Sequence, residues 1–299
     1  MSSRPETPRK LAKASFDALY DRPHPARYFS ALRPLEYKVP AYAQPVIEQC
    51  LSTLAELRAK RKITVLDLCS GYGVNGGLMK HDVSLDELYK LYDDRGAQPN
   101  LAQRISRDRE FLESRKRSDR DIVVVGQDIA LNALNYAESV GFVDATIKAN
   151  LERRPLRGNE ARLVSGVDLV TVTGGLSYIG SATFERVLHA AKQPPWILFF
   201  PLRHTPVHEI RETIGSFGLD VEDAPRPVAQ RRFKDERERR AVLAESGQDA
   251  TIQRDWPSGS YLEAKLCLAR PATDIGAIPL RRLLSDAFEA GCRGAETAA

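Results

Sequence analysis

The 299-residue chain sets 44 Lys and Arg against 40 Asp and Glu, a formal net charge of +4. So small an excess makes no electrostatic case for nucleic acid or an anionic membrane surface, and 28% charged with 42% hydrophobic residues is the profile of a soluble chain able to bury a proper core. The four cysteines, Cys50, Cys69, Cys267 and Cys292, stand far apart without C-x-x-C spacing, which argues against a disulfide framework or a structural zinc site and for a reducing cytosol.

The first residues, Met-Ser-Ser-Arg-Pro-Glu-Thr, lack an apolar signal region, and no apolar run approaches membrane-spanning length, so a cytoplasmic location is expected. Residues 1–9 read as a polar tail and residues 10–20 as a weakly amphipathic helix that Pro23 and Pro25 stop. The next segment is crowded with aromatics: Tyr28, Phe29 and Tyr37. Apolar residues at i, i+3, i+4 spacing predict a helix over 42–60.

A short β-branched run then carries an acid near its end, Ile63-Thr-Val-Leu-Asp67-Leu-Cys69, and passes into Ser70-Gly71-Tyr72-Gly73-Val-Asn-Gly76. This is a buried parallel strand entering a glycine-rich turn, with helix resuming near Gly77. Glycines here permit positive φ and close backbone approach by a ligand, and unpaired N–H groups at the helix start favour an anionic group such as a carboxylate. The spacing Gly71-x-Gly73-x-x-Gly76 fits a dinucleotide fingerprint. Asp67, four residues before the first glycine, suits an amino-acid ammonium better than a pyrophosphate.

Beyond the turn a helix is expected over 77–95, and a charged surface insertion over 96–120. A second strand, 121–128, ends in Asp128 and leads through Ile129 into a helix over 130–140. A weaker strand over 142–148 precedes Asn150 and Leu151, and a fourth, 167–173, runs into Thr173-Gly174-Gly175-Leu-Ser-Tyr178. A helix over 181–192, a strand over 196–200, a helix over 206–216 and a short strand near 219–222 continue the alternation. The alternating pattern of 260–270 suits an antiparallel closing strand, and one amphipathic helix is expected over 278–292. Strands alternating with helices imply a parallel sheet covered on both faces. The run from Gln230 to Arg240 mixes acids with bases and reads as a solvated helix or loop rather than an RNA-binding stripe.

The stretch from Ile63 to Gly73 resembles motif I of the class I S-adenosylmethionine (SAM)-dependent methyltransferases, and Gly-Gln-Asp128-Ile129 resembles their motif II. The likeness spans about residues 63–270. It implies an α/β, Rossmann-like class I methyltransferase fold, with a mostly parallel central sheet, helices on both faces and an N-terminal helical cap. The implied organisation is a cap over 1–42, a SAM-binding domain over 43–272 and a C-terminal helix and tail over 273–299. The resemblance further implies that Asp67, Cys69, Ser70, Gly71, Tyr72 and Gly73 surround the amino-acid end of SAM. By the same likeness Asp128 takes the ribose hydroxyls while Ile129 packs on the adenine. Asn150, where the superfamily usually has an acid, accepts the adenine amino group next to Leu151, and Thr173 and Gly174 face the methyl-donor sulfur. The departure at Asn150 weakens that one assignment.

Tyr178, able to face a sulfonium with its ring or an acceptor with its hydroxyl, His204, placed beyond strand five as a general base, and Tyr28 in the cap are the candidate catalytic residues. The cap is expected to fold over the carboxyl edge of the sheet with Tyr28 or Phe29 close to the sulfonium. His204 and His208 lack the carboxylate and geometry of a zinc site, so no metal is expected. The leading function is methylation of a small molecule. One alternative keeps SAM as sole substrate, its α-amine displacing methylthioadenosine to give azetidine-2-carboxylate. A lesser one is an RNA methyltransferase or a SAM-binding protein without catalysis. The partners expected are a small-molecule substrate and at most a second copy of the chain as a homodimer, without nucleic acid or membrane.

Overall fold

The computed structural model describes residue 19 and residues 21–93, 100–246 and 260–284. The readings of residues 1–18 and most of the C-terminal helix lie outside them.

One sheet is formed by β1 (Lys62–Leu68), β2 (Asp121–Asp128), β3 (Ala145–Lys148), β4 (Leu169–Val172), β5 (Trp196–Phe199), β6 (Asp220–Asp223) and β9 (Cys267–Arg270). The order of these seven strands is β3-β2-β1-β4-β5-β9-β6. β1 pairs in parallel with β2 and β4, β2 with β3, and β4 with β5, while β9 runs antiparallel between β5 and β6. This is the Rossmann-like, mostly parallel sheet with helices on both faces that the resemblance implies. Side chains alternate across the strands, so Val65, Val124, Leu169 and Leu198 join one apolar cluster and Leu66, Val125, Val170 and Ile197 the other.

The first cluster is covered by α1 (Ala26–Leu32), α2 (Val39–Leu57), α3 (Val74–Lys80), α4 (Leu85–Leu91), α5 (Leu101–Glu113) and α6 (Leu131–Ser139). The second is covered by α7 (Gly158–Ser165), α8 (Ser181–Ala190) and α9 (His208–Ser216). Tyr28, Phe29 and Leu32 are buried in the same cluster as α2 and α4, so the segment around them shares the core of the sheet and its helices. Phe29 stacks on Tyr92 at 4.5 Å between ring centroids and meets Tyr89 edge-on, within that core.

Several expectations need correction. The charged stretch 96–120 holds α5, not an insertion: Arg104, Asp108 and Leu112 at i, i+4, i+8 form a buried face. Asp108 is fully buried, bonded to His24 and to the Tyr136 hydroxyl, each at 2.9 Å. Polar residues there pair with one another, so no apolar stripe marked the helix. The expected strand over 260–270 is two strands. β8 (Tyr261–Ala264) pairs with β7 (Val228–Arg232) as a separate two-stranded antiparallel sheet, and Lys265 then donates to Pro201 O as the chain crosses to β9. The run from Gln230 to Arg240 is not simply solvated either, since Arg231 is buried with Glu238 of α10 (Glu236–Ser246) at 2.6 Å. After Pro271 the chain makes two short helices, α11 (Ala272–Ala277) and α12 (Leu280–Leu283), where one was expected from Ile278.

Candidate active site

Strand order reverses between β1 and β4, and in open parallel sheets ligands lie outside the carboxyl ends of strands at that point. A cavity of about 330 Å³ opens there. The sequence-predicted residues Tyr28, Cys69, Ser70, Tyr72, Asp128, Ile129, Asn150, Leu151, Thr173, Gly174 and Tyr178 all line it. Tyr37 of the aromatic segment and Gly175 of the stretch after the fourth strand line it too, as do Asp21, Asn75 and Gln127, to which sequence reasoning gave no site role. Asp67, Gly71, Gly73 and His204 are not among its lining residues.

The turn after β1 winds through left-handed backbone at Cys69 (φ 54°), Gly71 (φ 53°) and Gly73 (φ 73°). Cys69 is the costly one, because a Cβ crowds that conformation. Gly175 leaves room for it: a Cβ on Gly175 would lie 2.2 Å from the Cys69 Cβ. Gly73 meets Ala137, Phe142 and Val143, so its lack of a side chain serves packing of the turn on α6 rather than a ligand's approach.

Asp128 holds this turn. Its Oδ2 accepts from Gly71 N at 2.8 Å, and its Oδ1 from Ile129 N at 2.7 Å and Ala130 N at 2.9 Å. The carboxylate thus ties the ends of β1 and β2 together while facing the cavity. Gln127, buried beside it, accepts from Cys69 N at 3.4 Å and donates to Ala149 O at 2.7 Å, joining three strand ends. Asn150 Oδ1 takes Glu152 N–H at 3.0 Å, which leaves one lone pair for a ligand. Ile129 and Tyr178 are 65% and 45% exposed, large apolar surfaces left open at the cavity.

Asp67 lies beneath the floor. Its Oδ1 accepts from Thr171 Oγ1 at 2.6 Å and Asn75 Nδ2 at 2.9 Å, and Asn75 Nδ2 also donates to Thr173 Oγ1 at 3.0 Å. Asp67 Oδ2 and Asn75 Oδ1 have no hydrogen-bond partner among the described residues. Burial pushes the Asp67 carboxyl up to about 6, against the pull of both hydrogen bonds and with help from Asp128. An acid raised on folding stabilises the protein below its unfolded pKa, and that stability is lost as pH rises through the folded value. Asp67→Asn keeps an oxygen for Thr171 and Asn75 but cannot ionise. Its melting temperature should therefore gain on the wild type between about pH 4 and 7, by the equivalent of roughly 2–3 kcal/mol. Parallel melting curves across that range would show that Asp67 does not titrate there.

The N-terminal segment closes one side. The Tyr72 hydroxyl donates to Leu19 O or Arg22 O, both at 3.0 Å, and accepts from Arg22 N at 3.1 Å. Burial raises this phenol to about 12, so it serves as an anchor rather than as an acid or base. Asp21 Oδ1 accepts from Asn132 N at the start of α6 at 2.8 Å. Among the described residues no Lys, Arg or His lines the cavity, whereas two carboxylates and four tyrosines do. No group of three His, Cys, Asp or Glu among the described residues is placed to hold a metal ion, and no described helix is long and apolar enough to cross a membrane.

No protein-family model matches the chain, and no curated protein matches it in sequence. Solved structures resemble it in fold. A TehB-like SAM-dependent methyltransferase from Corynebacterium glutamicum has 12% identity and a TM-score of 0.36, over 73% of this chain and 86% of its own. The plantazolicin methyltransferase BamL, in complex with a triazolic desmethylPZN analog and SAH, has 11% identity and a TM-score of 0.38, over 84% and 95%. A SAM-dependent methyltransferase from Geobacter sulfurreducens, in complex with S-adenosyl-L-homocysteine, has 14% identity and a TM-score of 0.31, over 75% and 90%. At identities and scores this low the likeness carries no argument about chemistry, which rests on the residues around the cavity.

Proposed function

We propose that this chain is a SAM-dependent transferase that methylates a small molecule. The observation that carries the reading is the charge of the cavity: carboxylates and tyrosine rings line it, with no cationic side chain among the described residues. A dinucleotide pyrophosphate would meet uncompensated carboxylates there, despite the glycine spacing. A sulfonium and an ammonium would meet ring faces and acceptors instead.

The residues fit that ligand. Asp128 offers its carboxylate to the ribose, Ile129 an apolar face to the adenine, and Asn150 an acceptor for the exocyclic amine. Bound there, SAM supplies a carbon already activated by its leaving sulfur. What remains for the chain is to orient the acceptor in line and exclude water, through which much of the rate can come. Tyr28 and Tyr178 flank the cavity where they can do both. His204 lies outside it, so the structure gives no support to a histidine base.

A second reading is favoured by one observation, the cavity's size. About 330 Å³ is near the lower end of the roughly 300–1,000 Å³ of ligand pockets, which leaves little space for an external acceptor. SAM could then serve as its own substrate: the α-amine nitrogen bonds to the γ-carbon, the carbon–sulfur bond breaks with its electron pair going to sulfur, and an ammonium proton passes to water. The products are azetidine-2-carboxylate and methylthioadenosine. Incubation with SAM alone separates the readings. Methylthioadenosine without an acceptor supports cyclisation, and S-adenosylhomocysteine appearing only with an acceptor supports methyl transfer. Absence of SAM binding by calorimetry would remove both.

A further inference from the structure

The turn that follows the 3₁₀ turn Arg33–Leu35 is held more tightly than packing requires. Glu36 is in the left-handed region (φ 49°, ψ 49°), a strained state for a residue with a Cβ that persists only where its surroundings over-determine it. Here they do. Its Oε1 accepts from Arg232 Nε at 2.5 Å, and its Oε2 from Tyr261 Oη at 2.7 Å and Lys38 Nζ at 3.0 Å. The Arg232 guanidinium also lies over the Tyr261 ring, 4.8 Å from its centroid. Hydrogen bonds from Tyr261, then Arg232, hold the Glu36 carboxyl down to about 2. Arg232 and Tyr261 are opposite one another in the two-stranded β7–β8 sheet, outside the main sheet.

The grip extends to the backbone on either side of Tyr37. Lys38 N donates to Gln230 O of β7 at 2.8 Å, Tyr89 Oη donates to Tyr37 O at 3.2 Å, and Tyr37 N donates to Leu32 O at 3.4 Å. The side chain so fixed lines the cavity. Its hydroxyl reaches the loop after β4, where a Cβ on Gly174 would lie only 2.6 Å from it. Gly174 thus leaves the space that the Tyr37 hydroxyl uses. Residues 36, 37, 174, 232 and 261 converge from four parts of the chain on one side of the cavity.

We propose that Tyr37 contacts the reacting end of a cationic ligand beside Gly174, and that Glu36, gripped by Arg232 and Tyr261, is the positioning residue that holds it there. The proposal rests on the SAM reading above. A tyrosine ring face attracts a sulfonium but has no such preference for the neutral thioether of S-adenosylhomocysteine. The two-stranded β7–β8 sheet thereby braces the substrate-facing turn from outside the main sheet.

Calorimetric titration of SAM and S-adenosylhomocysteine into the full chain tests this. Tyr37→Leu should weaken SAM about tenfold while S-adenosylhomocysteine changes by about twofold or less. Tyr37→Phe, which keeps a ring face, should restore the preference to within about twofold of wild type. Glu36→Gln should move the SAM to S-adenosylhomocysteine ratio in the same direction by about threefold and add nothing in the Tyr37→Leu background, since it acts through that ring. An unchanged ratio in Tyr37→Leu, or equal losses for both ligands, overturns the placement of Tyr37. Additive effects in the double variant overturn the role of Glu36. Wild-type protein that binds neither ligand is a separate result, which removes the SAM reading itself.

Discussion

Gly76→Ala should be among the most damaging single-methyl changes in this protein, lowering stability by about 3 kcal/mol, a fall of roughly 6–12 °C in melting temperature for a chain of this size. Helix propensity alone predicts the reverse, since alanine exceeds glycine by about 0.8–1 kcal/mol in a helix interior. Space decides the sign. A Cβ on Gly76 would lie 2.3 Å from the backbone carbonyl oxygen of Phe142 and 3.2 Å from Val124 Cγ1. A backbone oxygen cannot rotate away as a side chain could, so α3 would have to lift off the loop before β3 and off β2. Gly215 in α9 is the control: a Cβ there meets nothing within 4 Å. Gly215→Ala should be neutral to stabilising by about 0.5–1 kcal/mol. Thermal melts of the two variants should move in opposite directions, and a Gly76→Ala protein as stable as wild type would show that α3 is not seated as described.

That pair also shows what the glycine spacing meant. Gly71, Gly73 and Gly76 read in sequence as a ligand cradle, but Gly73 and Gly76 owe their identity to α6, Phe142 and Val124 behind them. The pattern located the turn correctly, because tight strand-to-helix packing and ligand approach both need glycine there. Spacing alone does not say which demand each glycine meets.

The strands were legible because β-branched runs such as Ile63–Leu66 and Ile122–Val125 are buried or half-buried on both faces and leave no exposed alternation to misread. Elements whose burial is polar were not. α5 hides Asp108 against His24 and Tyr136, and α10 hides Glu238 against Arg231, so each sequence reads as a solvated charge run. The site divides in the same way. Residues at strand ends, Cys69, Asp128 and Thr173, follow from topology and line the cavity as a parallel sheet requires. Asp21, Tyr37 and Asn75 depend on how an N-terminal segment and a helix turn fold back over those ends, and local periodicity carries no record of that. The aromatic crowding before Tyr37 was the one available signal. It pointed to burial correctly but gave Phe29 and Tyr28 equal weight, whereas Phe29 is spent on the core and Tyr28 reaches the cavity.

Asp128→Ala should weaken SAM and S-adenosylhomocysteine binding at least tenfold. If both ribose hydroxyls donate to this carboxylate, each bond is worth about 1.5–3 kcal/mol, and about 1.4 kcal/mol already makes the factor of ten. The structure adds a second route to the same loss. Gly71 N, Ile129 N and Ala130 N all donate to Asp128, so alanine also strips three acceptor contacts from the turn that faces the ligand. Asp128→Asn separates the two. Its remaining oxygen can serve Ile129 N and Ala130 N, while its amide nitrogen cannot accept from Gly71 N or from a hydroxyl. If the turn alone matters, asparagine, which keeps two of the three backbone contacts, should recover part of the affinity and be equally impaired for ligands with and without ribose hydroxyls. If the ribose contact matters, asparagine should remain several-fold weaker than wild type for both nucleosides, yet bind a 2′,3′-dideoxy analogue of S-adenosylhomocysteine as well as wild type does. Calorimetry on the three proteins with the three ligands measures this directly, and undiminished affinity in Asp128→Ala would move the nucleoside away from the end of β2.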